Sequence, residues 1–256
     1  MKNESIYKEQ MVNIVTLKWG KRYGAEFVNK LYAAVSLNLS LPFRFVCFTD
    51  DPEGLDNGVE AFPIPDIVID PPKLYTGWRK LSLFKESLPI DGECLFLDLD
   101  ILITGKLDDF FTYEPGKIPI IRDWVSIVRK IFPKGPPVGN SSVFRFTANK
   151  TTFVYEQFLS ERQWALDNFQ PPQTYLTHSI RPQMVFWPTH WCVSFKANLR
   201  PVFPLNFFFE PRKPADARII VFHGKPDPDD AAYGFKGKRI HHFIKPTSWV
   251  RELWEK

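Results

Sequence analysis

Two carboxylates with one residue between them, Asp98 and Asp100, interrupt the otherwise apolar run CLFLDLDILI. If this run is one strand, both side chains project from the same face near its C-terminal end. Two carboxylates this close repel each other and are costly to bury, so the arrangement favours a bound cation. Mg2+ and Mn2+ bind carboxylate and phosphate oxygens together. The pair therefore predicts metal-assisted chemistry on a substrate that carries a diphosphate.

Two other interpretations of the acid pair stay open at this point. The carboxylates could cap the following turn or pair with Lys and Arg, which is a structural role. They could also belong to a D-x-D phosphatase of the haloacid-dehalogenase type, with Asp98 as the nucleophile. That class carries Gly-Thr directly after the pair and near the chain start, whereas Ile101 and Leu102 follow here.

A second motif follows the apolar run ARIIVF late in the chain, where His223, Gly224 and Lys225 come in succession. A neutral imidazole can join a metal already held by carboxylates. The glycine allows the backbone to approach a phosphate, and the lysine supplies a positive charge to it. A histidine at a strand end is ordinarily structural, but together with the acid pair it predicts a metal set of Asp98, Asp100 and His223.

The elements that must position these residues alternate between strands and helices in the first half of the chain. Apolar runs bounded by turn residues predict strands, and apolar residues at helical spacing predict helices. The predicted strands are 11–17, 44–50 and 94–103, and the predicted helices are 26–39 and 78–88. This order predicts an α/β fold with a parallel sheet.

The second half is divided by proline-rich segments such as PKGPPVGN, NFQPPQTY and EPRKPAD. Its clearest units are SSVFRF, ARIIVFHG and a predicted helix over 151–169. Neither an internal repeat nor a long linker marks a boundary. We therefore predict one domain over 1–256, with a nucleotide-binding half at 11–110 and an acceptor or lid half at 111–256.

Composition limits the classes of protein to consider. A chain of 256 residues with 44% hydrophobic residues can build a core without disulfides. The three cysteines form no C-x-x-C pair, which favours a reducing compartment. The N-terminal residues show no apolar signal region, and no run reaches the length of a membrane span. These features predict a cytoplasmic protein.

The net charge of +4 is concentrated in the last quarter of the chain. Residues 198–256 hold 11 Lys and Arg against 7 Asp and Glu, whereas the rest of the chain is balanced. The sequence contains none of the nucleic-acid-binding motifs, so we expect no nucleic-acid partner. The basic segment FKGKRIHH, residues 235–242, could bind an anionic acceptor or make peripheral contact with a membrane, or it could be a solvated basic strand.

The motifs FLDLD and VFHGKP, in this order, resemble those of the GT-A-fold nucleotide-sugar glycosyltransferases of family eight. The segments MVNIVTLKWGKRYG, FRFVCFTDD, WRKLSLF and NSSVFRF also follow the order of that family, so the resemblance spans about residues 11–226. It implies a Rossmann-like GT-A domain with a mostly parallel mixed sheet flanked by helices. It also implies transfer of a sugar from a nucleoside diphosphate sugar, with UDP-sugars first, to an unknown glycan, lipid or small-molecule acceptor.

The resemblance also implies roles for individual residues. Asp100 and His223 would bind the metal, Mn2+ or Mg2+, with Asp98 beside both the metal and the ribose. Asp98, Asp100 and Lys225 would take part in catalysis, and Lys225 would bind the diphosphate. The remaining donor-binding positions implied by the family are Thr16, Leu17, Lys18, Asp50, Lys80, Asn140 and Ser141.

Two positions depart from the family pattern. The late motif is compressed, so that Asp227 stands where the family has Trp, and Pro172-Gln173 stands where relatives carry Asp-Gln. A nucleotide-sugar or glycan-binding protein without turnover is therefore an alternative to an enzyme. The stereochemical outcome also stays open, and an inverting reaction would use Asp123 as its base.

Overall fold

A computed structural model describes residues 11–124 and 135–256. Predictions that rest on residues 1–10, or on the first two residues of PKGPPVGN, lie outside these ranges. The strands are β1 Val12–Lys18, β2 Phe43–Thr49, β3 Val59–Pro63, β4 Gly92–Leu97, β5 Ile101–Ile103, β6 Ile118–Arg122, β7 Gly139–Ala148, β8 Met184–Phe186, β9 Cys192–Ser194 and β10 Ile219–Val221. The helices are α1 Ala25–Asn38, α2 Asp109–Thr112, α3 Phe153–Ser160, α4 Arg162–Asn168, α5 Gln173–Ile180, α6 Pro228–Tyr233 and α7 Ser248–Trp254.

Seven strands form a large mixed sheet in the order β3-β2-β1-β4-β7-β6-β8. Strand β7 pairs antiparallel with both of its neighbours, and every other pair in the sheet is parallel. Six strands thus run one way and β7 runs against them. The predicted α/β fold with a mostly parallel mixed sheet is confirmed.

Both faces of the large sheet are covered, as expected for parallel strands. All seven residues of β1 are buried, and successive side chains enter opposite layers. Ile14 belongs to a cluster with Phe27 and Leu31 of α1. Val15 belongs to the other cluster, with Trp78 of the 3-10 helix Gly77–Phe84. The central strands are therefore held from both sides, which fixes the positions of their C-terminal ends.

The prediction of one strand over 94–103 is wrong, because the chain changes sheets between the two acids. Strand β4 ends at Leu97, and the Asp98 N–H donates to the Ser142 carbonyl at 2.9 Å. The Phe222 N–H then donates to the Asp100 carbonyl at 2.9 Å, where the chain joins the small sheet β5-β10-β9. The acids therefore lie at a crossover between two sheets and not along one strand face.

Two predicted helices also differ from the structure. The helix predicted over 78–88 is the 3-10 helix Gly77–Phe84, and the chain is extended again at Lys85. The helix predicted over 151–169 is broken into α3 and α4 at Glu161, which leaves the helical conformation. The Glu161 carboxylate accepts a hydrogen bond from the Tyr175 hydroxyl at 3.0 Å, so the residue at the break connects α3 and α4 to α5.

The described part of the chain has no helix that is both long enough and apolar enough to cross a membrane. Cys47, Cys94 and Cys192 are buried free thiols. Burial raises the pKa of Cys47 to about 12, so the thiol is un-ionised at neutral pH. Within the described residues the fold is held by packing and hydrogen bonds and contains no disulfide.

Arg145 of β7 is a buried cation that contacts three other parts of the chain. Its guanidinium donates to the Phe110 carbonyl at 2.8 Å and to the Glu114 carbonyl at 2.9 Å. It also pairs with the Glu93 carboxylate at 3.2 Å. Helix α2 and the turn after it are thereby attached to the sheet that carries the acid pair.

We expect Arg145→Met to lower the free energy of unfolding by about 3 kcal/mol, because the carbonyls of Phe110 and Glu114 lose their donor and Glu93 loses its partner. Thermal unfolding measures this effect. Arg162→Met, at an exposed arginine, is the matched control and should change the melting temperature little. Equal melting temperatures for the two variants would contradict this role of Arg145.

Candidate functional site

The candidate site lies where parallel strands β1, β2 and β4 end and the chain crosses to the small sheet. In open α/β sheets this edge is the usual place for a ligand, because the strands end together and the loops after them diverge. Asp98 follows β4 directly, and Asp100 precedes β5 directly. The crossover thus holds both carboxylates between two sheets whose cores are packed.

Lys80 compensates the charge of Asp98. The lysine is buried in the 3-10 helix Gly77–Phe84, and its Nζ lies 2.8 Å from the Asp98 carboxylate. Nζ also donates to the Ser141 carbonyl at 2.9 Å and to the Ser141 hydroxyl at 3.2 Å. Three acceptors offset the cost of burying the ammonium group. Lys80, Asp98 and Ser141, all predicted donor-site residues, are therefore brought together.

Asp100 is in a more negative environment than Asp98. Its carboxylate accepts from the Tyr23 hydroxyl at 3.1 Å, and the same hydroxyl lies 3.3 Å from the Asp227 carboxylate. Burial, together with the charges of Asp98 and Asp227, raises the pKa of Asp100 to about 7, although Lys80 acts in the opposite direction. The crossover therefore carries negative charge that the neighbouring side chains do not fully compensate.

His223 follows β10 and lies in a different set of contacts. Its Nε2 is 2.7 Å from the Ser194 hydroxyl, and its ring stacks on Trp124 with centroids 5.2 Å apart. The Ser194 oxygen accepts from the Ala197 N–H at 2.9 Å and has a second lone pair, so it can also accept from Nε2–H in the tautomer that leaves Nδ1 unprotonated. Burial, followed by the charge of Lys196, lowers the pKa of His223, which favours a neutral imidazole.

The predicted metal set does not converge in the described residues. Among the described His, Cys, Asp and Glu residues, one group of three has its potential ligand atoms within 4.8 Å of one another. This group is Asp227, Asp229 and Asp230. Asp98, Asp100 and His223 do not form a group by that measure. Their joint role as metal ligands stays a prediction.

The acidic group at 227–230 has a structural explanation. Asp227 and Asp230 form the capping box of α6, in which each side chain accepts from the other residue's backbone N–H. Lys225, with 54% of its side chain exposed, lies 3.0 Å from Asp227 and 2.7 Å from Asp230. Gly224 has a φ of 77°, which a residue with a side chain rarely adopts, and it turns the chain into this segment.

Asp227 contacts the candidate site, although its place in the sequence does not predict this. Through Tyr23 it is joined to Asp100, and it also pairs with Arg22 at 3.3 Å. A signal for its position was present: Asp227 is followed by Pro228 and then, three residues after it, by Asp230, which is a helix-start pattern. The family has a tryptophan at this position, so the resemblance gives no indication of the helix start at Asp227.

Thr16, Leu17 and Lys18, predicted to face the nucleotide, lie within β1 and not in the loop after it, whereas Asp50 directly follows β2. Thr16 and Leu17 are buried within β1, and within the described residues the Thr16 hydroxyl has no hydrogen-bond partner. Lys18 is also buried, and its Nζ donates to the Asp51 carbonyl at 2.9 Å. Asp50 accepts from the Gly20 N–H at 3.0 Å. Asp50 therefore fixes the loop after β1, which contains Trp19 and Gly20.

A cavity of about 460 Å³ opens at the ends of β2 and β3 and is bordered by Asp50, Phe62 and Arg79. Among the four predicted nucleotide-facing residues before position 60, Asp50 is the one that lines it. Asn140, also predicted, lies elsewhere on β7, where its side chain accepts from the Ser142 N–H at 3.0 Å. Asn140 thus holds the backbone that presents Ser141 to Lys80.

A larger cavity of about 890 Å³ lies in the second half of the chain. Asp123, Trp124, Trp187 and Asn198 are among its lining residues, which all fall between positions 121 and 198. Trp124 joins it to the first site, since the same ring stacks on His223. The cavity lies in the half of the chain that is predicted to bind the acceptor. The chain topology brings its lining residues together, which residue spacing alone does not reveal.

Comparison with known proteins agrees with this geometry at the level of the fold. No protein-family model and no curated protein matches the chain in sequence. Among solved structures, it is similar to the galactosyltransferase LgtC in complex with donor and acceptor sugar analogs, with a TM-score of 0.61 and 13% identity over 95% of each chain. The fold is that of the GT-A glycosyltransferases.

Two further glycosyltransferases show the same likeness. GlyE of Streptococcus pneumoniae TIGR4 matches with a TM-score of 0.59 and 12% identity, over 95% of this chain and 60% of GlyE. The bifunctional WbbM, in its apo structure, matches with a TM-score of 0.59 and 10% identity, over 96% of this chain and 52% of WbbM. The predicted GT-A fold is confirmed by these likenesses.

We expect Asp100→Asn to stabilise the metal-free protein above pH 7 by about 3 to 8 °C in melting temperature, because it removes a buried carboxylate that Asp98 and Asp227 also repel. A raised pKa means that the folded state binds a proton which the unfolded chain has released. The stability from Asp100 therefore falls as the pH rises from about 4 to about 7.

Thermal unfolding in a chelator at pH 8 and pH 5 measures this effect. The difference between Asp100→Asn and the unchanged protein should be large at pH 8 and smaller at pH 5. Asp216→Asn, which neutralises an exposed carboxylate, is the control. A less stable Asp100→Asn at pH 8 would refute the proposed excess of negative charge.

Proposed function

We propose that the protein is a glycosyltransferase related to family eight, which transfers a sugar from a nucleoside diphosphate sugar to an acceptor hydroxyl. The observation that carries the proposal is the crossover itself, where Lys80 compensates Asp98 while Asp100 retains uncompensated charge. The likeness to LgtC, whose structure holds donor and acceptor sugar analogs, supports it. UDP-sugars are the first donors to test.

The acid pair fits a bound divalent cation. Asp98 and Asp100 offer hard oxygen ligands, and the raised pKa of Asp100 indicates a site where added positive charge is favourable. These two carboxylates would hold Mn2+ or Mg2+, and His223 would be a further ligand through the ring nitrogen that does not contact Ser194. When bound, the cation acts as a Lewis acid and neutralises charge on the leaving diphosphate.

The chain's own cations then orient the donor. Lys80 is fixed by Asp98 and Ser141, so its ammonium group is positioned before any ligand binds, which lowers the entropy cost of holding a phosphate. Lys225 is exposed and rests on Asp227 and Asp230, from which it can swing to the diphosphate. The cavity bordered by Asp50 and Arg79 has room for the base and ribose.

The acceptor would bind in the 890 Å³ cavity. Its aromatic lining, Trp124 and Trp187, offers faces on which a sugar ring can stack, and Asn198 offers hydrogen bonds. Asp123 also lines it and is the carboxylate that an inverting reaction would use as general base. A retaining reaction would need no such base, so Asp123→Asn separates the two outcomes.

A nucleotide-sugar-binding protein without turnover is the second candidate. It is favoured by Pro172, which stands where relatives carry an acid and lies at the N-terminal end of α5. The next residue, Gln173, accepts from the Ser141 N–H at 3.5 Å, so this helix start faces the donor site without offering a carboxylate. This candidate predicts metal-dependent binding and no product.

The test is calorimetric titration with UDP and with GDP, with and without Mn2+, on the unchanged protein, Asp100→Ala and His223→Ala. We expect Mn2+-dependent binding of one nucleotide that Asp100→Ala abolishes, while Asp216→Ala, an equal loss of charge at the surface, retains it. Loss in His223→Ala as well would support the third ligand. Absence of metal-dependent binding for every nucleoside diphosphate would refute the donor site.

Turnover is then measured with sugars of the nucleotide that binds, by following release of the nucleoside diphosphate. Release that depends on Asp100 supports the transferase, and binding without release supports the second candidate. Hydrolysis of a phosphomonoester that depends on Asp98 but not on His223 would instead support the phosphatase interpretation.

We expect Lys80→Met to weaken nucleoside diphosphate binding by about 10- to 100-fold, because a charge-assisted contact to phosphate contributes about 1.5 to 3 kcal/mol. The nucleoside without phosphates should bind both proteins equally. Lys117→Met removes an exposed charge far along the chain and is the control. An unchanged dissociation constant for the nucleoside diphosphate in Lys80→Met would show that Lys80 is not part of the donor site.

A further inference from the structure

The chain between β9 and β10 exposes a dense group of large apolar side chains. We call residues 201–209, PVFPLNFFF, the aromatic loop. Val202 is 72% exposed, Phe208 is 68% exposed and Phe209 is 57% exposed, and Phe203 and Leu205 are also exposed. Contiguous exposed apolar groups of this kind are uncommon on a protein surface unless they bind something.

The aromatic loop is held in place by the segment 235–245. The Phe207 ring stacks on Phe243 with centroids 5.1 Å apart, and the Asn206 side chain donates to the Phe243 carbonyl at 3.0 Å. Lys245 donates to the Phe208 carbonyl at 3.3 Å. Phe207 and Asn206 thus anchor the loop inward while their neighbours point outward, so the exposure belongs to an ordered surface.

Positive charge surrounds this apolar group. Residues 196–213 and 235–245 together contain one acid, Glu210, against eight cations. The cations are Lys196, Arg200, Arg212, Lys213, Lys236, Lys238, Arg239 and Lys245. The charges from both segments act on His242, whose pKa is lowered by partial desolvation and then by His241, Arg200, Lys196 and Arg239. The two segments therefore form one basic surface with an aromatic centre.

We propose that the aromatic loop and the segment 235–245 form a surface that binds an anionic lipid bilayer. Phenylalanine and valine side chains enter the acyl boundary, and lysine and arginine bind anionic headgroups, so both chemistries of the surface are used. A symmetric contact with a second copy would bring eight cations of each chain together and would be repelled. Nucleic acid would use the charge and leave the aliphatic and aromatic side chains without a partner.

This proposal goes beyond the proposed function and does not depend on it. The aromatic loop begins three residues after Asn198, which lines the 890 Å³ cavity, because the turn Phe195–Leu199 is followed by Arg200 and then by the loop. A bilayer bound there would lie next to that cavity. The surface would place the cavity beside molecules carried in the membrane.

The test is flotation of the full chain with vesicles of phosphatidylcholine alone or with about one-third phosphatidylglycerol. We expect binding to the anionic vesicles that weakens in high salt. Phe208→Ser/Phe209→Ser should reduce the partition coefficient at least tenfold. Lys236→Gln/Lys238→Gln/Arg239→Gln should reduce it by one to two orders of magnitude, since each basic residue near the surface contributes about a factor of five.

The matched controls change the same chemistry elsewhere on the chain. Lys106→Gln/Lys117→Gln/Lys150→Gln gives the same net charge, and Leu37→Ser replaces an exposed apolar residue on α1. Both controls should bind like the unchanged protein. Circular dichroism melting establishes that each variant is folded.

Three results would overturn the proposal. The first is equal binding to neutral and anionic vesicles. The second is an equal loss of binding in the charge control, which would show that net charge acts without a defined surface. The third is a concentration-dependent dimer, measured by light scattering, that disappears in Phe208→Ser/Phe209→Ser, which would assign the aromatic loop to a second copy.

Discussion

The site depends on a change of sheet within three residues. Asp98 makes the last hydrogen bond to the large sheet through Ser142, and Asp100 accepts the first bond from the small sheet through Phe222. Each bond continues a ladder packed in a hydrophobic core, so neither acid can move without disturbing a sheet. The positions of the two acids are thus set by backbone geometry, and their carboxylates contact Lys80 and Tyr23.

The large sheet and its layers determine how charge is distributed at this crossover. Lys80 comes from a 3-10 helix on one face of the sheet and reaches Asp98, whereas Tyr23 comes from the loop before α1 and reaches Asp100. One acid receives a full positive charge and the other receives a neutral hydroxyl. Two carboxylates of the same type, two residues apart, therefore have partners of different charge, because different layers of the fold supply them.

Much of the fold could be predicted from the sequence, since the first strands and α1 are long and their periodicity is clear. The break between β4 and β5 could not, because an apolar run with acids at alternate positions reads as one strand and the change of sheet depends on Phe222, more than 120 residues later. Short or irregular elements such as β3 and the 3-10 helix Gly77–Phe84 were missed or misassigned for the same reason: tertiary packing and not local pattern determines them.

The residue types of the candidate site could be predicted from the sequence, but the contacts between those residues could not. Lys80, Asp98 and Ser141 were identified separately, and the structure joins them. Asp227 was compared with a tryptophan, and its capping role and its contact with Tyr23 emerge only in three dimensions. Spacing indicates which side chains can bind a phosphate or metal, whereas the partners that adjust their charge come from distant loops.

Tyr23 connects the acid pair to the late motif in a way that couples their charges. Its single hydroxyl hydrogen faces Asp100 at 3.1 Å and Asp227 at 3.3 Å, and it can donate to one of them at a time. A cation on Asp100 would neutralise that carboxylate and release the hydroxyl to Asp227. Asp227 would then hold Lys225 less strongly, because a carboxylate that accepts another hydrogen bond attracts a cation less. Lys225 also pairs with Asp230 at 2.7 Å and would stay attached to the late motif through that contact, so the two motifs are linked through one hydroxyl group.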